Sequence, residues 1–377
     1  MAGSSALRST GVEVGARTWS PLLLLYTTHR TSSNSIVPWS RRPPDPRSIV
    51  AAAAGGGSSS PSSRSRRPQQ LQSSSTTIRE SKQQVTLKLT YLEINSWVWE
   101  VQQQGQARAP VRILVDPLVV GNLDFGAPWL FDGAKKNPKV KALGVDDLLA
   151  PEARPDLLLI TQSLDDHCHV RTLTQLSARA PDLPVVTTPN AQPVLDSLPT
   201  PFRRVTYLDP GQSTVVNQQV RVLATAGPVL GPPWQRPENG YILMAAAGDC
   251  DGDESGPGLL YYEPHCVYDR SFLEDKRLRA DVVITPVVKQ LLPANFTLVS
   301  GQEDAVDLAR LLRARYVVPM SNGDVDAGGL LATVLTKQGT TQSFQALLSE
   351  ALPQAQVLEP TPGVPLQVQL QLDIIDR

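Results

Sequence analysis

The chain has 377 residues, is 41% hydrophobic, holds three Cys and carries a net charge of −1. That is enough apolar material for a large core and too little cysteine for a disulfide scaffold. The charge is uneven: residues 1–79 contain ten Arg, no Lys and two acids, about +8, so the remainder carries about −9. An acidic body argues against nucleic acid as the main partner.

The first 80 residues are rich in Ser, Arg, Ala and Pro and poor in acids, the composition of an organellar transit peptide. The Ala, Gly and Ser runs between 51 and 75 cannot bury a core. The apolar run 22–25 is too short to span a bilayer, and no later stretch is long and apolar enough, so no membrane insertion is expected. Arg41-Arg42 leads into Pro-Pro rather than the apolar core of a twin-arginine signal. The sequence thus predicts a targeting or disordered segment over 1–82 and one folded domain over 83–377. The expected destination is the plastid stroma, with the mitochondrion as the alternative.

Strands are predicted first. Residues 85–92 (VTLKLTYL) and 96–101 (SWVWEV) alternate apolar and polar side chains, and 111–115 (VRILV) ends sharply in Asp116-Pro117. A Gly-, Pro- and Asp-rich loop over 117–155, with Trp129 and Phe131, is expected to cover a site as a lid. A short apolar strand at 157–160 precedes a helix at 172–180 and a strand at 184–187. Further strands are predicted at 219–225, 241–246, 259–262, 281–285 and 316–319. Ser300-Gly-Gln-Glu303 reads as a capping box opening a helix to Arg313, with Ala305, Leu308, Ala309 and Leu312 at helical spacing. Helices at 328–337 and 343–352 and a strand at 367–372 close the chain. Strands in the middle with helices in both halves suggest two sheets between helical layers.

Chemistry concentrates at two strand exits. Thr161-Gln-Ser-Leu-Asp-Asp-His-Cys-His169 follows the strand at 157–160, and Glu263-Pro-His265 follows the strand at 259–262. Carboxylates and imidazoles at the ends of apolar strands can hold a metal on a rigid element. Asp166, His167 and His265 make two His and one carboxylate, a set that suits one divalent ion, Zn, Mn or Fe. Glu263 and His265 are the candidates for a catalytic base or third ligand, and His169 is expected to support the ligands. The opposing reading holds no metal: Asp166 caps the next helix, and His167 is a satisfied buried imidazole. Asp116 either orients the ligand loop or simply forms an Asp-Pro turn. Loop 227–240 carries Trp234 and Arg236, which can clamp a planar or anionic small molecule; otherwise it is a hairpin turning at Asn239-Gly240. Cys168-His169 and His265-Cys266 invite a Cys₂His₂ reading, although neighbours on a strand point apart. Residues 249–254 (DCDGDE) lack the spacing of an EF-hand loop.

The stretch from Thr161 resembles the metal-binding signature Thr-His-x-His-x-Asp-His of the metallo-β-lactamase superfamily. Thr161, Asp166 and His167 fit, while Gln162 and Leu164 stand at its two earlier His positions. The resemblance runs over roughly 85–370 and implies a four-layer αββα sandwich, an α/β fold with a metal cleft between its sheets. Within the superfamily, Leu164-Asp-Asp-His-Cys-His169, Gly231-Pro-Pro-Trp-Gln-Arg-Pro-Glu-Asn-Gly240, Tyr262-Glu-Pro-His265 and Pro319-Met-Ser-Asn-Gly323 resemble the L-ascorbate-6-phosphate-lactonase-like branch, in particular its plastid-targeted plant and algal members. In that frame Asp166 and His167 match ligands of the second metal. The family's later ligand positions hold Thr225-Ala-Gly-Pro228, Glu263-Pro-His265 and Pro319-Met-Ser-Asn322. The resemblance therefore implies a hydrolase-like protein with at most one metal, acting on a small phosphorylated, lactone or ester substrate. The alternative is a non-catalytic binding module that keeps the cleft.

Overall fold

The computed structural model describes residues 80–105, 108–230, 235–246 and 258–375. In chain order its first strands are β1 (Glu80–Tyr91), β2 (Trp97–Gln103), β3 (Val111–Val115) and β4 (Asp132–Ala134), followed by helices α1 (Pro138–Lys141) and α2 (Val145–Leu148). Next come β5 (Leu157–Ile160), α3 (Val170–Arg179), β6 (Val185–Thr187), α4 (Gln192–Asp196), β7 (Val205–Tyr207), β8 (Ser213–Val216), β9 (Val220–Ala226), β10 (Asn239–Ala245) and β11 (Gly258–Tyr262). The remaining elements are α5 (Arg270–Asp275), β12 (Val282–Pro286), β13 (Lys289–Leu292), β14 (Phe296–Val299), α6 (Glu303–Leu312), β15 (Tyr316–Met320), β16 (Asp326–Gly328), α7 (Leu330–Val334), β17 (Thr336–Gln338), α8 (Thr341–Ala351), β18 (Gln356–Val357) and β19 (Pro365–Ile375).

Two seven-stranded sheets form the body, ordered β19-β1-β2-β3-β5-β6-β7 and β18-β15-β12-β11-β10-β9-β8. The first is antiparallel from β1 to β3 and parallel from β3 to β7. The second is parallel from β18 to β11 and antiparallel from β11 to β8. Alternation decides which face turns inward: Trp97, Trp99 and Val101 of β2 are buried, while Val98 and Glu100 between them are only partly so.

Three apolar clusters define four layers. Leu87, Trp99 and Ile113 of the first sheet meet Val222, Tyr241, Tyr262 and Ile284 of the second in the central core. The outer face of the first sheet, with Leu158 and Ile160, packs on Leu173 and Leu176 of α3 and Leu195 of α4. The outer face of the second, with Ile242, Tyr261 and Val317, packs on Leu273 of α5, Leu308 of α6 and Phe344 of α8. This is the expected αββα sandwich. No helix among the described residues is long and apolar enough to cross a membrane.

Four local expectations are corrected. The predicted helix at 328–337 is instead the end of β16, the short α7 and the strand β17. Gly329 breaks it at φ +87°, where an added Cβ would lie 2.6 Å from the Leu130 carbonyl. The capping box fails because Gln302 is the N-cap, at φ 50°, with no side-chain cap bond. Asn239 and Gly240 do not turn; they pair with Ala226 and Thr225 inside the sheet. The 117–155 loop contains β4, which pairs with β16 in a two-stranded ribbon. Beneath that region, Ile94, Leu118 and Leu123 pack with Phe125, Phe131 and Val325, tying the loop to the β1–β2 turn. Cys168 and Cys266 are buried free thiols. Trp234 and residues 249–254 lie outside the described residues.

Candidate metal centre

The two strand exits converge. Ligand atoms of Asp166, His167 and His265 all lie within 4.8 Å of one another, and the two imidazole centroids are 5.3 Å apart. Parallel pairing of β3 with β5 brings Asp116 alongside Thr161. Asp116 Oδ1 accepts from Thr161 N at 2.8 Å, and Oδ2 accepts from Thr161 Oγ1 at 2.6 Å. Asp116 adopts φ 41°, so the Asp-Pro corner aims the carboxylate back over the loop. His167 Nδ1 sits 2.9 Å from Asp116 Oδ2. Of the two sequence readings of Asp116, orientation of the ligand loop is therefore the one the geometry supports, and it needs the turn to achieve it.

A carboxylate on Nδ1 fixes an imidazole's orientation and leaves Nε2 for a cation. His167 Nε2 lies 3.1 Å from Asp166 Oδ2 and 3.0 Å from Asn95 Nδ2. Asn95 also donates to the Asp166 carbonyl and to its Oδ2. If the proton is on Nδ1, Nε2 and Asp166 Oδ2 face each other as two acceptors. The Asn95 amide, with two N–H donors in reach of both atoms, relieves that contact in part, and a cation between them would relieve it fully. Burial alone lowers the His167 pKa, but the Asp166 and Asp116 carboxylates override it and hold the group up to about 10. Burial works against the Asp166 charge, yet the His167 and His265 imidazoles bring its pKa below the usual range. Burial and the His167 charge push His265 down to about 4.

The donor set passes the test for one divalent ion. Asp166 Oδ1 is buried with no hydrogen-bond partner, and two imidazoles with one carboxylate are the ligand types of an open catalytic site. Among the described residues this is the only group of three or more His, Cys, Asp or Glu so placed. It holds neither Cys168 nor Cys266, so the Cys₂His₂ arrangement does not form.

Glu263 is fully buried beside the cluster. Its Oε2 accepts from His265 N and Val267 N, which shapes the turn that presents His265. Its Oε1 has no partner, and burial raises its pKa to about 8 despite those backbone bonds. His169 points elsewhere: Nδ1 meets Thr172 Oγ1 at 2.8 Å, and the ring lies against Arg171 at the start of α3. Burial and the Arg171 charge lower its pKa to about 4. The first helical amide, Val170 N, bonds Asp165 Oδ1, so Asp166 is not the helix cap. Arg236 is exposed and ion-paired to Asp209 at 2.9 Å, and its carbonyl accepts from Asn190. It is not brought to the cluster.

Two participants escaped the sequence reading. Asn95 sits in the short β1–β2 turn, and its only signal was an amide next to a strand start. Gln162 was read as a lost ligand, yet its Nε2 lies 2.8 Å from His265 Nδ1, across 103 residues of chain.

The family model described as the beta-lactamase superfamily domain matches residues 88–321. No curated protein matches the chain. Among solved structures, the chain is similar to an isothiocyanate hydrolase from Delia radicum gut bacteria, at 16% identity and TM-score 0.48, covering 74% of this chain and 98% of that one. It is similar to CmlA, a diiron beta-hydroxylase from Streptomyces venezuelae, at 14% identity and TM-score 0.46, covering 76% and 54%. It is also similar to the metallo-beta-lactamase fold protein YhfI from Bacillus subtilis, at 12% identity and TM-score 0.44, covering 76% and 100%. With the family model spanning most of both sheets and the β5 turn lying at the cleft, the chain belongs to the metallo-β-lactamase superfamily.

Proposed function

We propose that this protein is a single-metal hydrolase acting on a small lactone, ester or phosphorylated substrate. The observation that carries the reading is the convergence of Asp166, His167 and His265 within 4.8 Å, from turns on two different sheets. Zn, Mn or Fe suits these ligands, and such an ion would serve as a Lewis acid toward a carbonyl or phosphoryl oxygen. The chain's own residues do the rest. Asp116 holds His167 by Nδ1, and Asn95 fixes the Asp166 carboxylate. Glu263 keeps a proton near neutral pH on an atom with no other partner, which suits it to give or take one at Oε1. For Arg236 to anchor an anionic group, the substrate must displace Asp209. The lactone and phosphate classes follow from the likeness to the lactonase-like branch.

The test is hydrolysis of a panel of lactones, carboxylic esters and phosphomonoesters by protein loaded in turn with Zn²⁺, Mn²⁺ and Fe²⁺. Turnover that disappears in His167→Ala supports the reading. No turnover with any pairing, in protein that still binds its metal, favours the binding module. We also infer that residues 1–82 are a plastid-targeting segment preceding a domain over 83–377; the support is their acid-poor, Arg- and Ser-rich composition.

A further inference from the structure

Each imidazole of the cluster has a partner on Nδ1. His167 Nδ1 is tied to Asp116, and His265 Nδ1 is tied to the Gln162 amide at 2.8 Å. In both rings the nitrogen left for a cation is Nε2. Gln162 is itself fully buried, and the other end of its amide, Oε1, has no hydrogen-bond partner. It follows Thr161, whose amide and hydroxyl are both fixed by Asp116, so the backbone that carries Gln162 is anchored. A buried amide with one satisfied end and one orphaned end can stand either way round. With its nitrogen on His265 Nδ1, it requires the imidazole proton on Nε2, where a metal would bind. With its oxygen there, it accepts Nδ1–H and frees the Nε2 lone pair.

We infer that Gln162 is a positioning residue for His265: its amide stands with the oxygen on Nδ1, accepts Nδ1–H there, and so selects the His265 tautomer whose Nε2 is open toward Asp166 and His167. The inference rests on the metal reading proposed above. It gives a role to a residue that occupies a ligand's place without ligating: one that sets a ligand from behind. It also ties the two strand exits together, because the 161–163 turn then controls a ligand on the 263–265 turn.

The test has two arms. In the first, Zn²⁺ affinity is measured by competition with a chelator. Gln162→Met, similar in shape but without the amide, is expected to bind about 10–100-fold more weakly. Gln162→Glu, whose carboxylate accepts Nδ1–H, is expected to recover most of that loss. Equal affinity for wild type and Gln162→Met, or a Gln162→Glu variant as weak as Gln162→Met, overturns the inference. In the second arm, the ¹⁵N shifts of His265 are read by NMR in chelated protein. A dominant Nδ1–H tautomer in wild type and a mixture in Gln162→Met support it; a mixture or a dominant Nε2–H tautomer in wild type, or no change in the variant, overturns it. This second arm needs no metal, so wild-type protein that fails to bind Zn²⁺ rejects the metal reading while the role of Gln162 is still decided.

Discussion

Asp116 illustrates how much one buried side chain can organise. It satisfies Thr161 twice and His167 once, and Tyr262 Oη lies 3.4 Å from its Oδ2. Removing it as Asp116→Ala leaves buried donors unpaired, which costs about 1–3 kcal/mol each. The expected outcomes are a lower denaturation midpoint and metal affinity reduced by about 10–100-fold, read by denaturant titration and chelator competition. Glu263 gives a pH prediction with a definite sign. Its pKa rises from 4.5 to about 8 on folding, chiefly through burial. The folded chain therefore binds more protons than the unfolded chain between those values, so stability falls as pH rises from about 4.5 to 8. Glu263→Gln keeps an acceptor for His265 N and Val267 N and removes the ionisation. In chelated protein the variant should match wild type near pH 4 and exceed it by up to a few kcal/mol above pH 8. Equal stability of the two at pH 8.5 would show that Glu263 is not held neutral.

At the level of elements, long strands and amphipathic helices were legible in the sequence because their periodicity is local. Burial of alternate residues in β2 and of Ala305, Leu308, Ala309 and Leu312 in α6 matches the apolar spacing read from the sequence. The short strands β7, β8, β13 and β14 were not legible, since so short a run carries no period, whereas the equally short β5 and β6 stood out as apolar runs. The supposed helix at 328–337 failed because a glycine at positive φ and pairing partners far along the chain outweighed a modest helical pattern. Half the site was legible for a similar reason. Asp166, His167 and His265 sit in clusters of chemistry-bearing residues, whereas Asn95 and Gln162 matter only through distant partners. Two element-scale predictions follow. Leu308→Ala, fully buried between α6 and the second sheet, should cost about 2–5 kcal/mol by denaturant titration. Gly258→Ala should prevent folding of the expressed chain, because the new Cβ would lie 1.7 Å from the Arg279 carbonyl where β11 begins.

For the whole molecule, the sandwich brings its two sheets together over one apolar core and leaves their loops to meet at the cleft. The fold was legible in the order of elements, and the family model confirms the superfamily. Cellular address is a separate matter, carried by composition alone. A fusion of residues 1–85 to a fluorescent protein should enter plastids, and a uniform cytosolic signal would contradict that reading. The central claim is one metal held by Asp166, His167 and His265. It is tested most directly by elemental analysis of protein purified without a metal-affinity tag, alongside His265→Ala. The account predicts up to one Zn, Mn or Fe per chain in wild type, and none in a variant that is still folded. Wild-type protein that is folded, metal-free and gains no stability from added Zn²⁺, Mn²⁺ or Fe²⁺ would contradict it.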